Sequence, residues 1–556
     1  MEYITVEEAA ELGGVSVATM RRRCGAGEVD AVKAGAQWLI DPKSVGGAKP
    51  ARKRKPKGVT EEFNLKAAWG HVQSTDLSEA WVPDVLRFRD YIEVGDKVVE
   101  TAGQRLVSLA FSSAFRLDIP KTTASNRPGV LLDISDRVAY QAVVGSFAKK
   151  IEMKLAESVY SSRLATGRHF LQHGPKRWVR FEASVKKQAK GDGFSWVASA
   201  DISAYFEHIH HRILFEELSH LGVSGQPLRA LRVMLTRWSQ LDGVGLPQGP
   251  NASRVLGNFY LVQVDESMLG QDYVYHRYMD DVRILAKTKA DAVAAIRQFE
   301  HLCRQRGLIC SSSKTDVVSI EEYIRQGDGN EKNIASYFFN SGDLSKARPV
   351  LKRILKGALS QDRINQRDAR FSLWRLARIR EHAALRQILE RLEDLAPLAS
   401  VVGAYLKYFV SRESVQKKIS EFMSDPLRSY SAFLKTWIFA AMLECNNMPK
   451  SWTEISRQEA SDKNNPNFLR AVASCVLAKA RLPRDISWIR GQLDVEHDPD
   501  VLRAYLVALK YGGALDKSSI AVASGRVPGL ERTGEWLRAR RSLPSLLYPD
   551  QVISVP

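Results

Sequence analysis

The chain has 556 residues, of which 44% are hydrophobic and 26% charged, so it can bury several cores and is neither disordered nor collagen-like. Its 81 Lys and Arg against 63 Asp and Glu give a formal net charge of +18, which favours a polyanionic partner, nucleic acid above all. The five cysteines include no C-x-x-C pair, and no apolar run approaches the roughly 18–20 residues of a membrane span. We therefore expect a reduced, cytoplasmic protein with no disulfide framework, no cysteine zinc site and no membrane partner.

Residues 1–45 are predicted to form a helix-turn-helix domain of the DNA-binding kind. A capping-box pattern at Thr5 and Glu8 opens a short first helix, and two short strands, 29–32 and 37–40, follow the second helix as a wing. The segment resembles the excisionase and MerR-like DNA-binding domains. The residues expected to contact nucleic acid share the second helix and are Arg21, Arg22 and Arg23. A protein-docking domain with a solvated basic helix is the alternative.

Residues 46–60 are predicted to be a basic linker, because Pro, Gly and dense positive charge disfavour a packed core. The linker residues expected to contact nucleic-acid phosphates are Arg52, Lys53, Arg54 and Lys55. A plain solvated tether is the alternative interpretation of this segment.

The rest of the chain divides by pattern into an α+β region, 61–345, and an almost wholly helical region, 346–556. Within the helical region, Asp425, Asn465 and Asp498 each precede a proline in a pattern that opens an amphipathic helix. Such recurrence predicts HEAT-like α-repeats, with an irregular helical bundle as the alternative.

The sharpest chemical signal is the pair Asp280 and Asp281, which lies between two segments of β-type composition and is therefore predicted at the turn of a hairpin. A third acid, Asp201, ends the apolar run 195–200, and a buried acid is costly unless it is paired or binds a metal. If the strands are neighbours, the three carboxylates converge, and hard divalent cations prefer such oxygen ligands. Two Mg²⁺ ions about 3.5–4 Å apart would then support in-line attack of a 3′-hydroxyl.

A loop bounded by Gly and Pro, 245–253, precedes the apolar helical run 255–264. Gln248 and Ser253 are expected to face a substrate, and Gly249 to allow close approach of the backbone.

These segments resemble, in order, the conserved motifs of reverse transcriptases. Motifs A, B and C of the palm correspond to DISAYF at 201–206, LPQGPNAS at 246–253 and YMDD at 278–281, and motif D to 307–315. Residues 116–121, 127–128 and 136–137 resemble the fingers motifs of bacterial reverse transcriptases. The resemblance covers roughly residues 80–340. It implies a right-hand polymerase with fingers and palm at 61–345, followed by a thumb-like and α-helical repeat domain at 346–556.

The resemblance also implies roles for individual residues. Asp201, Asp280 and Asp281 would hold the metal ions (Mg²⁺, with Mn²⁺ as the alternative), and the Ile202 carbonyl would be a backbone ligand. Lys314 would assist departure of pyrophosphate as a general acid.

Further residues would hold the nucleotide. Lys121 and Arg127 would grip its triphosphate, and Gln248 and Ser253 would support the nucleotide and the template. Phe206 matches the steric gate, whose ring collides with a ribose 2′-hydroxyl, so dNTPs are the expected substrates. Tyr205 is the gate if the alignment is shifted by one residue.

Arg254 stands where many reverse transcriptases have Pro after the motif B serine. This departure, with the long helical region, resembles the abortive-infection and defence-associated enzymes of bacteria. The implied function is RNA-directed synthesis of DNA in bacterial antiphage defence, with an RNA template and a DNA product. A noncoding RNA, a partner protein and a homo-oligomer are all compatible with this assignment. The alternatives are a retron-like or intron-derived enzyme with a dedicated noncoding RNA, and a catalytically idle nucleic-acid-binding scaffold.

Overall fold

The computed structural model describes residues 4–25, 29, 31–34, 37–45, 62–77, 81–191, 193–327, 330–360 and 363–547. The basic residues predicted in the linker, Arg52, Lys53, Arg54 and Lys55, lie outside these ranges. The chain divides into two compact units, Met1–Glu62 and Phe63–Pro556. Within the described ranges, no helix combines the length and the apolar character that a membrane crossing requires.

The first unit contains helices and a two-stranded sheet around a small apolar core. Its elements are helices Val6–Leu12, Val17–Gly25 and Pro42–Val45 and strands β1 (Ala31–Ala34) and β2 (Gln37–Ile40), which pair antiparallel. The predicted capping box is confirmed, since the Thr5 N–H donates to the Glu8 carboxylate at 2.8 Å and the Glu8 N–H donates to the Thr5 hydroxyl at 3.3 Å. The first strand begins later than predicted, because Val29 is buried in the core before pairing starts.

The three arginines of the second helix do not share one environment. Arg21 and Arg22 are exposed, and Arg21 pairs with Glu7 at 3.2 Å. The side chain of Arg23 is buried, with only 7% of the residue exposed, because helical spacing places it on the same face as the core residue Met20. The prediction that Arg23 contacts nucleic acid is therefore wrong for this structure.

The second unit begins with helices and a β-hairpin. The helices are Leu65–His71, which continues into the π-helical turn Val72–Asp76, and then Arg89–Glu93, Gly95–Ser108 and Ile134–Glu152. The hairpin consists of β3 (Phe115–Pro120) and β4 (Asn126–Leu131), and its turn is closed by the Lys121 N–H, which donates to the Ser125 carbonyl at 2.8 Å.

A four-stranded antiparallel sheet follows in the order β6-β7-β5-β8. The strands are β5 (Trp196–Asp201), β6 (Val274–Tyr278), β7 (Asp281–Ala286) and β8 (Asp316–Ser319). The surrounding helices are Gly174–Gly191, Tyr205–His208 (3₁₀), His211–His220, Gln226–Trp238, Asn251–Tyr260, Val262–Gly270, Lys289–Gln305 and Ile320–Gly327. Helices 174–191 and 289–305 both pack against the sheet, and most residues of β5 and β7 are buried.

The remaining described residues are helical. Helices that pack in succession, each on the next, are Gln366–Arg378, Ala399–Leu406, Ala432–Met442, Asn467–Lys479 and Pro499–Tyr511. The other helices of this region are Asn330–Asn340, Leu344–Leu359, His382–Ala384 (3₁₀), Leu385–Glu390, Leu392–Leu398 (3₁₀), Glu413–Ser424, Lys450–Ser461, Pro483–Gln492, Lys517–Arg526 and Leu530–Ala539. The successive helices begin at nearly constant spacing along the chain, so this region is a stack of similar helical layers.

Of the three helix starts predicted in this region, the one at Asp498 is confirmed, with Asp498 as the cap and Pro499 in the first turn. Near Asn465 a helix also begins, at Asn467, but its cap is Pro466 rather than Asn465. The third, at Asp425, is wrong. The Asp425 carboxylate accepts the N–H of Leu427 at 3.0 Å and closes a turn, and the next helix begins only after its cap at Ser431.

Hydrogen bonds join the helical stack to the beginning of the second unit. The Gln366 side chain donates to the Lys121 carbonyl at 2.7 Å, at the turn of the β3–β4 hairpin. Farther along the stack, the buried Arg503 pairs with Asp84 at 2.5 Å and with Asp90 at 2.6 Å. The stack is therefore fixed relative to the elements that carry the predicted nucleotide-binding residues.

Candidate active site

The structure brings the three predicted aspartates together at one edge of the sheet. Asp201 is the last residue of β5 and lies directly opposite Asp281, the first residue of β7. Asp280 occupies the turn between β6 and β7, where Tyr278 pairs with Asp281. Asp201 is 9% exposed, so the cluster lies in a recess rather than on an open surface.

The turn that presents Asp280 is held by a residue with unusual backbone geometry. Met279 has a φ of +59°, a left-handed conformation that non-glycine residues seldom adopt and that persists only where neighbours enforce it. Its N–H donates to the Ser161 hydroxyl at 2.8 Å, and its carbonyl accepts from the Arg277 guanidinium at 2.9 Å. Both backbone groups of Met279 are therefore clamped by side chains that lie outside the turn.

Arg277 is in turn fixed by a buried ion pair. Its guanidinium donates to both carboxylate oxygens of Asp265, at 2.7 and 2.5 Å, and to the Asn258 side chain at 3.0 Å. Arg277 and Asp265 are almost inaccessible to water. These positioning residues were missed by sequence reasoning, although an acid directly after the apolar run 255–264 was a signal that a buried cation faces it.

The carboxyl groups of the cluster lie close together in a buried place, and this affects the pKa values of Asp280 and Asp281. Burial and the neighbouring Asp281 and Asp201 carboxylates raise the pKa of Asp280 to about 7. Burial also raises the pKa of Asp281, and Arg283, 4.0 Å away, opposes that shift. A bound cation would lower both pKa values, because it favours the ionised carboxylates.

Lys314 forms an ion pair with Asp201 in this cluster. The Lys314 ammonium lies 2.8 Å from the Asp201 carboxylate, and the Lys314 side chain is half exposed. Within the described residues, no three His, Cys, Asp or Glu side chains are grouped closely enough to hold a metal ion as they stand. The donor set itself, three carboxylates at one edge of the sheet, is of the type that hard divalent cations prefer.

Backbone hydrogen bonds hold Ile202, the fourth predicted ligand, beside this cluster. Ile202 is buried and bridges to Cys310, with the Ser203 N–H donating to the Ile309 carbonyl at 2.8 Å. On its other side, the Ser311 N–H donates to the Asp201 carbonyl at 2.7 Å.

The two rings considered for the gate differ in accessibility. Tyr205 is buried and its hydroxyl donates to the Gly257 carbonyl. Phe206 is half-buried, and a Cβ at Gly257 would lie 3.1 Å from its ring, so the glycine makes room for this ring. Of the two, Phe206 is the ring that a nucleotide can reach.

The loop 245–253 presents one of its two predicted residues and buries the other. Gln248 is half-buried, and its side chain donates to Glu207 at 3.4 Å. Ser253 is 0% exposed and lies 3.0 Å from the Tyr140 hydroxyl, with which it shares a hydrogen bond. The expectation that the Ser253 side chain faces a substrate is wrong here, because the first turn of helix 251–260 enters the core.

A tryptophan that sequence reasoning missed links this loop to the β3–β4 hairpin. The Trp81 indole donates to the Gln248 carbonyl at 3.3 Å, and the Arg127 guanidinium lies 5.4 Å from the centre of its ring. Gly249, with a φ of +119°, allows this approach, since a Cβ there would lie 3.2 Å from the indole nitrogen. Lys121 is exposed at the tip of the same hairpin.

Comparison with known proteins identifies the family of this segment. Residues 119–351 match the family model described as reverse transcriptase (RNA-dependent DNA polymerase). The chain is also 26% identical over 179 residues to Protein YkfC of Escherichia coli strain K12, which is 30% of this chain and 42% of that protein. It thus spans less than half the length of this curated relative.

Similar solved structures include a partial Cas6-RT-Cas1–Cas2 complex, at 17% identity over 54% of this chain and 60% of that chain, with a TM-score of 0.28. A telomerase from Candida albicans in complex with a fragment of telomeric RNA is 10% identical over 81% of this chain and 71% of that chain, with a TM-score of 0.29. Scores this low carry no argument, so the identification depends on the family model. On that match, residues 119–351 form a domain of the reverse transcriptase (RNA-dependent DNA polymerase) type.

Proposed function

We propose that the whole chain is an RNA-directed DNA polymerase that extends a primer with dNTPs at Asp201, Asp280 and Asp281. The observation that carries this proposal is the pairing of Asp201 with Asp281 across β5 and β7, which brings distant parts of the chain into one carboxylate cluster. When bound, two Mg²⁺ ions (or Mn²⁺) would lower the pKa of the attacking 3′-hydroxyl and stabilise the leaving pyrophosphate.

The residues of the chain position the reactants around that cluster. Asp201, Asp280 and Asp281 supply carboxylate oxygens, and the Ile202 carbonyl adds a backbone oxygen. Lys314, now 2.8 Å from Asp201, carries the ammonium proton that pyrophosphate can accept as it leaves.

The nucleotide would be held between the hairpin and the loop 245–253. Lys121 and Arg127 lie on the hairpin and carry the positive charge that a triphosphate requires. The half-buried Phe206 would exclude a ribose 2′-hydroxyl, which restricts the substrates to dNTPs. Gln248 lies beside Glu207 in the same region, where it can support the nucleotide or its template base.

Incubation of the purified protein with Mg²⁺, a primed RNA template and labelled dNTPs tests the proposal. Asp280→Asn and Asp281→Asn should reduce incorporation to background, whereas Asp272→Asn, which changes an exposed acid shortly before β6, should leave it unchanged. Incorporation that persists in both cluster variants would refute the assignment. No incorporation by the wild type under any primer condition would favour a nucleic-acid-binding scaffold.

We further propose that the enzyme acts in antiphage defence in the bacterial cytoplasm. Two features support this role: Arg254 follows the motif B serine, and a long stack of helices follows the palm. Expression in a phage-sensitive host should lower plaque numbers, and Asp280→Asn should abolish the effect. Sequencing of co-purified nucleic acid separates this role from a retron-like or intron-derived one, since a single structured transcript would favour the latter.

For the first unit we propose a winged helix-turn-helix that contacts DNA. The exposed Arg21 and Arg22 on its second helix support this role. Replacing both with Ala should weaken DNA binding and flatten its salt dependence. An unchanged salt slope would point to protein docking instead.

A further inference from the structure

The helix Gln366–Arg378 lies beyond the segment that matches the family model, and its two faces differ in character. One face is buried in the helical stack and carries small and aliphatic residues: Ala369, Ser372, Leu373 and Leu376. The other face carries cations and aromatic rings at the spacing of successive turns: Arg367, Arg370, Phe371 and Trp374. Arg367 and Arg370 are exposed, and the two rings are half-buried. We call this second face the Arg–Trp face.

The Arg–Trp face borders the carboxylate cluster. It lines an open cavity of about 910 Å³ together with Lys314, the residue whose ammonium pairs with Asp201. The charge of Arg367 reaches Asp281, where it opposes the rise in pKa that burial causes. A ligand in this cavity would therefore extend to the predicted reaction centre.

Neighbouring residues hold the Arg–Trp face in place. At the start of the helix, Gln366 donates to the Lys121 carbonyl at 2.7 Å, and Asp368 pairs with Lys332 at 2.7 Å. The guanidinium of Arg375 lies 3.8 Å from the centre of the Phe371 ring. The rings are therefore presented on a fixed helix rather than on a loop.

The charge around this face is positive. The pKa of Arg370 is lowered, chiefly because neighbouring atoms shield part of its exposed side chain from water and secondarily because the charge of Arg127 is near. Arg367 has no ion-pair partner within the described ranges, and Asp281, the acid whose pKa its charge affects, belongs to the predicted metal cluster. A bound polyanion would relieve the repulsion among these cations.

A surface with cations next to aromatic rings is suited to binding an unpaired nucleic-acid strand. Phosphates pair with arginines, and bases stack on aromatic side chains, whereas the bases of a duplex are already stacked on one another. We propose that the Arg–Trp face binds an unpaired strand, with phosphates at Arg367 and Arg370 and a base on Trp374. This inference rests on the proposed function, because it assigns the strand to the template or product of the same site.

Binding of labelled oligonucleotides to the full chain tests the proposal without requiring catalysis. Fluorescence anisotropy is measured with unstructured RNA and DNA strands of about 12 nucleotides, within the range of single-strand sites. Removing both arginines (Arg367→Ala with Arg370→Ala) should weaken binding at least tenfold. It should also reduce the slope of log Kd against log salt by about 0.7 for each arginine. Trp374→Leu should weaken binding by about fivefold to a hundredfold and leave the salt slope unchanged, and Trp374→Phe should lose less.

A control is Arg386→Ala, which removes one positive charge, half of that lost in the double variant, from a side chain that is 87% exposed on another helix. The inference is overturned if the arginine variants bind both strands as tightly as this control. A loss confined to RNA would identify the template as the occupant, and a loss confined to DNA would identify the product.

Catalysis is scored separately in the same preparations. Asp201→Asn should bind strands at least as tightly as the wild type, because it frees the Lys314 ammonium, and should incorporate no dNTP. If the wild type fails to incorporate dNTPs while the arginine variants lose binding, the proposed function is wrong and the strand site stands. If the wild type incorporates dNTPs and the variants keep full binding, the strand site is wrong.

Discussion

The substitution Arg503→Met removes the cation that joins the helix Pro499–Tyr511 to the segment 84–93. Arg503 is 2% exposed, and its guanidinium donates to both oxygens of Asp90, at 2.7 and 2.6 Å, and to both oxygens of Asp84, at 2.5 and 3.1 Å. In the variant, two carboxylates that lie away from water lose their shared counter-charge.

The expected cost follows from this geometry. Breaking a buried ion pair by removing one partner costs about 3–5 kcal/mol, because the remaining charge stays desolvated. Remaining hydrogen bonds offset part of that cost, since Asp84 accepts the Phe88 N–H at 2.7 Å and Asp90 accepts the Thr533 hydroxyl at 2.9 Å. We expect a loss of about 3 kcal/mol in the free energy that opposes local opening at this contact.

Hydrogen exchange measured by mass spectrometry reports this local free energy. The method is preferable to global thermal unfolding, because a chain of this size need not unfold in a two-state transition. A loss of about 3 kcal/mol corresponds to more than a hundredfold faster exchange of amides in 84–93. Adding Asp84→Asn and Asp90→Asn to Arg503→Met should restore much of the protection, because the buried charges are then gone. The control is Arg540→Ala, whose exposed pair with Glu93 should contribute less than about 1 kcal/mol.

Equal exchange rates in Arg503→Met and Arg540→Ala would refute the reasoning. So would a triple variant that is no better protected than Arg503→Met alone, since the cost would then come from lost packing rather than from uncompensated charge.

Three further predictions concern the palm. Phe206→Ala should admit rNTPs in the incorporation assay, whereas Tyr205→Phe should not, because the Tyr205 hydroxyl is already committed to a backbone carbonyl. Ser161→Ala should lower kcat without changing thermal stability greatly, since it removes the acceptor for the Met279 N–H at the catalytic turn. Burial lowers the pKa of His276 to about 4, below its unfolded value of about 6.5. The unfolded chain therefore takes up a proton that the folded chain does not, and stability should fall by up to about 3 kcal/mol as the pH drops from about 6.5 to about 4. His276→Gln should flatten that dependence in exchange or melting measurements across this pH window.

Each of these expectations has a clear contrary result. If Phe206→Ala still rejects rNTPs, the assignment of Phe206 as the steric gate is refuted. An unchanged kcat in Ser161→Ala would mean that the left-handed turn is held without this hydrogen bond. A wild-type pH slope in His276→Gln would place the titrating group elsewhere.

Several features of this protein were readable from short stretches of sequence. The capping box at Thr5 and Glu8 depends on residues three apart, and the hairpin whose turn contains Asp280 depends on adjacent β-type segments. The apolar run before Asp201 predicted a buried strand for the same reason. In each case the interactions that define the feature lie within a few residues, so composition and spacing describe them directly.

Other features depended on partners that are distant along the chain. Ser253 was expected to face a substrate, but Tyr140, from an earlier helix, encloses it. The clamp on Met279 needs Ser161, and the contact of Arg503 needs Asp84, more than four hundred residues away. No local pattern encodes such pairs.

The residue types by themselves determined that this chain carries three acids suited to divalent cations and a basic surface suited to nucleic acid. Only the tertiary structure decided which side chains surround those acids, which arginines are buried, and that Trp374 belongs to a face beside Lys314. The physical reason is that hydrophobic burial drives the chain together without regard to sequence distance, while hydrogen bonds and ion pairs then select among the neighbours that packing has provided.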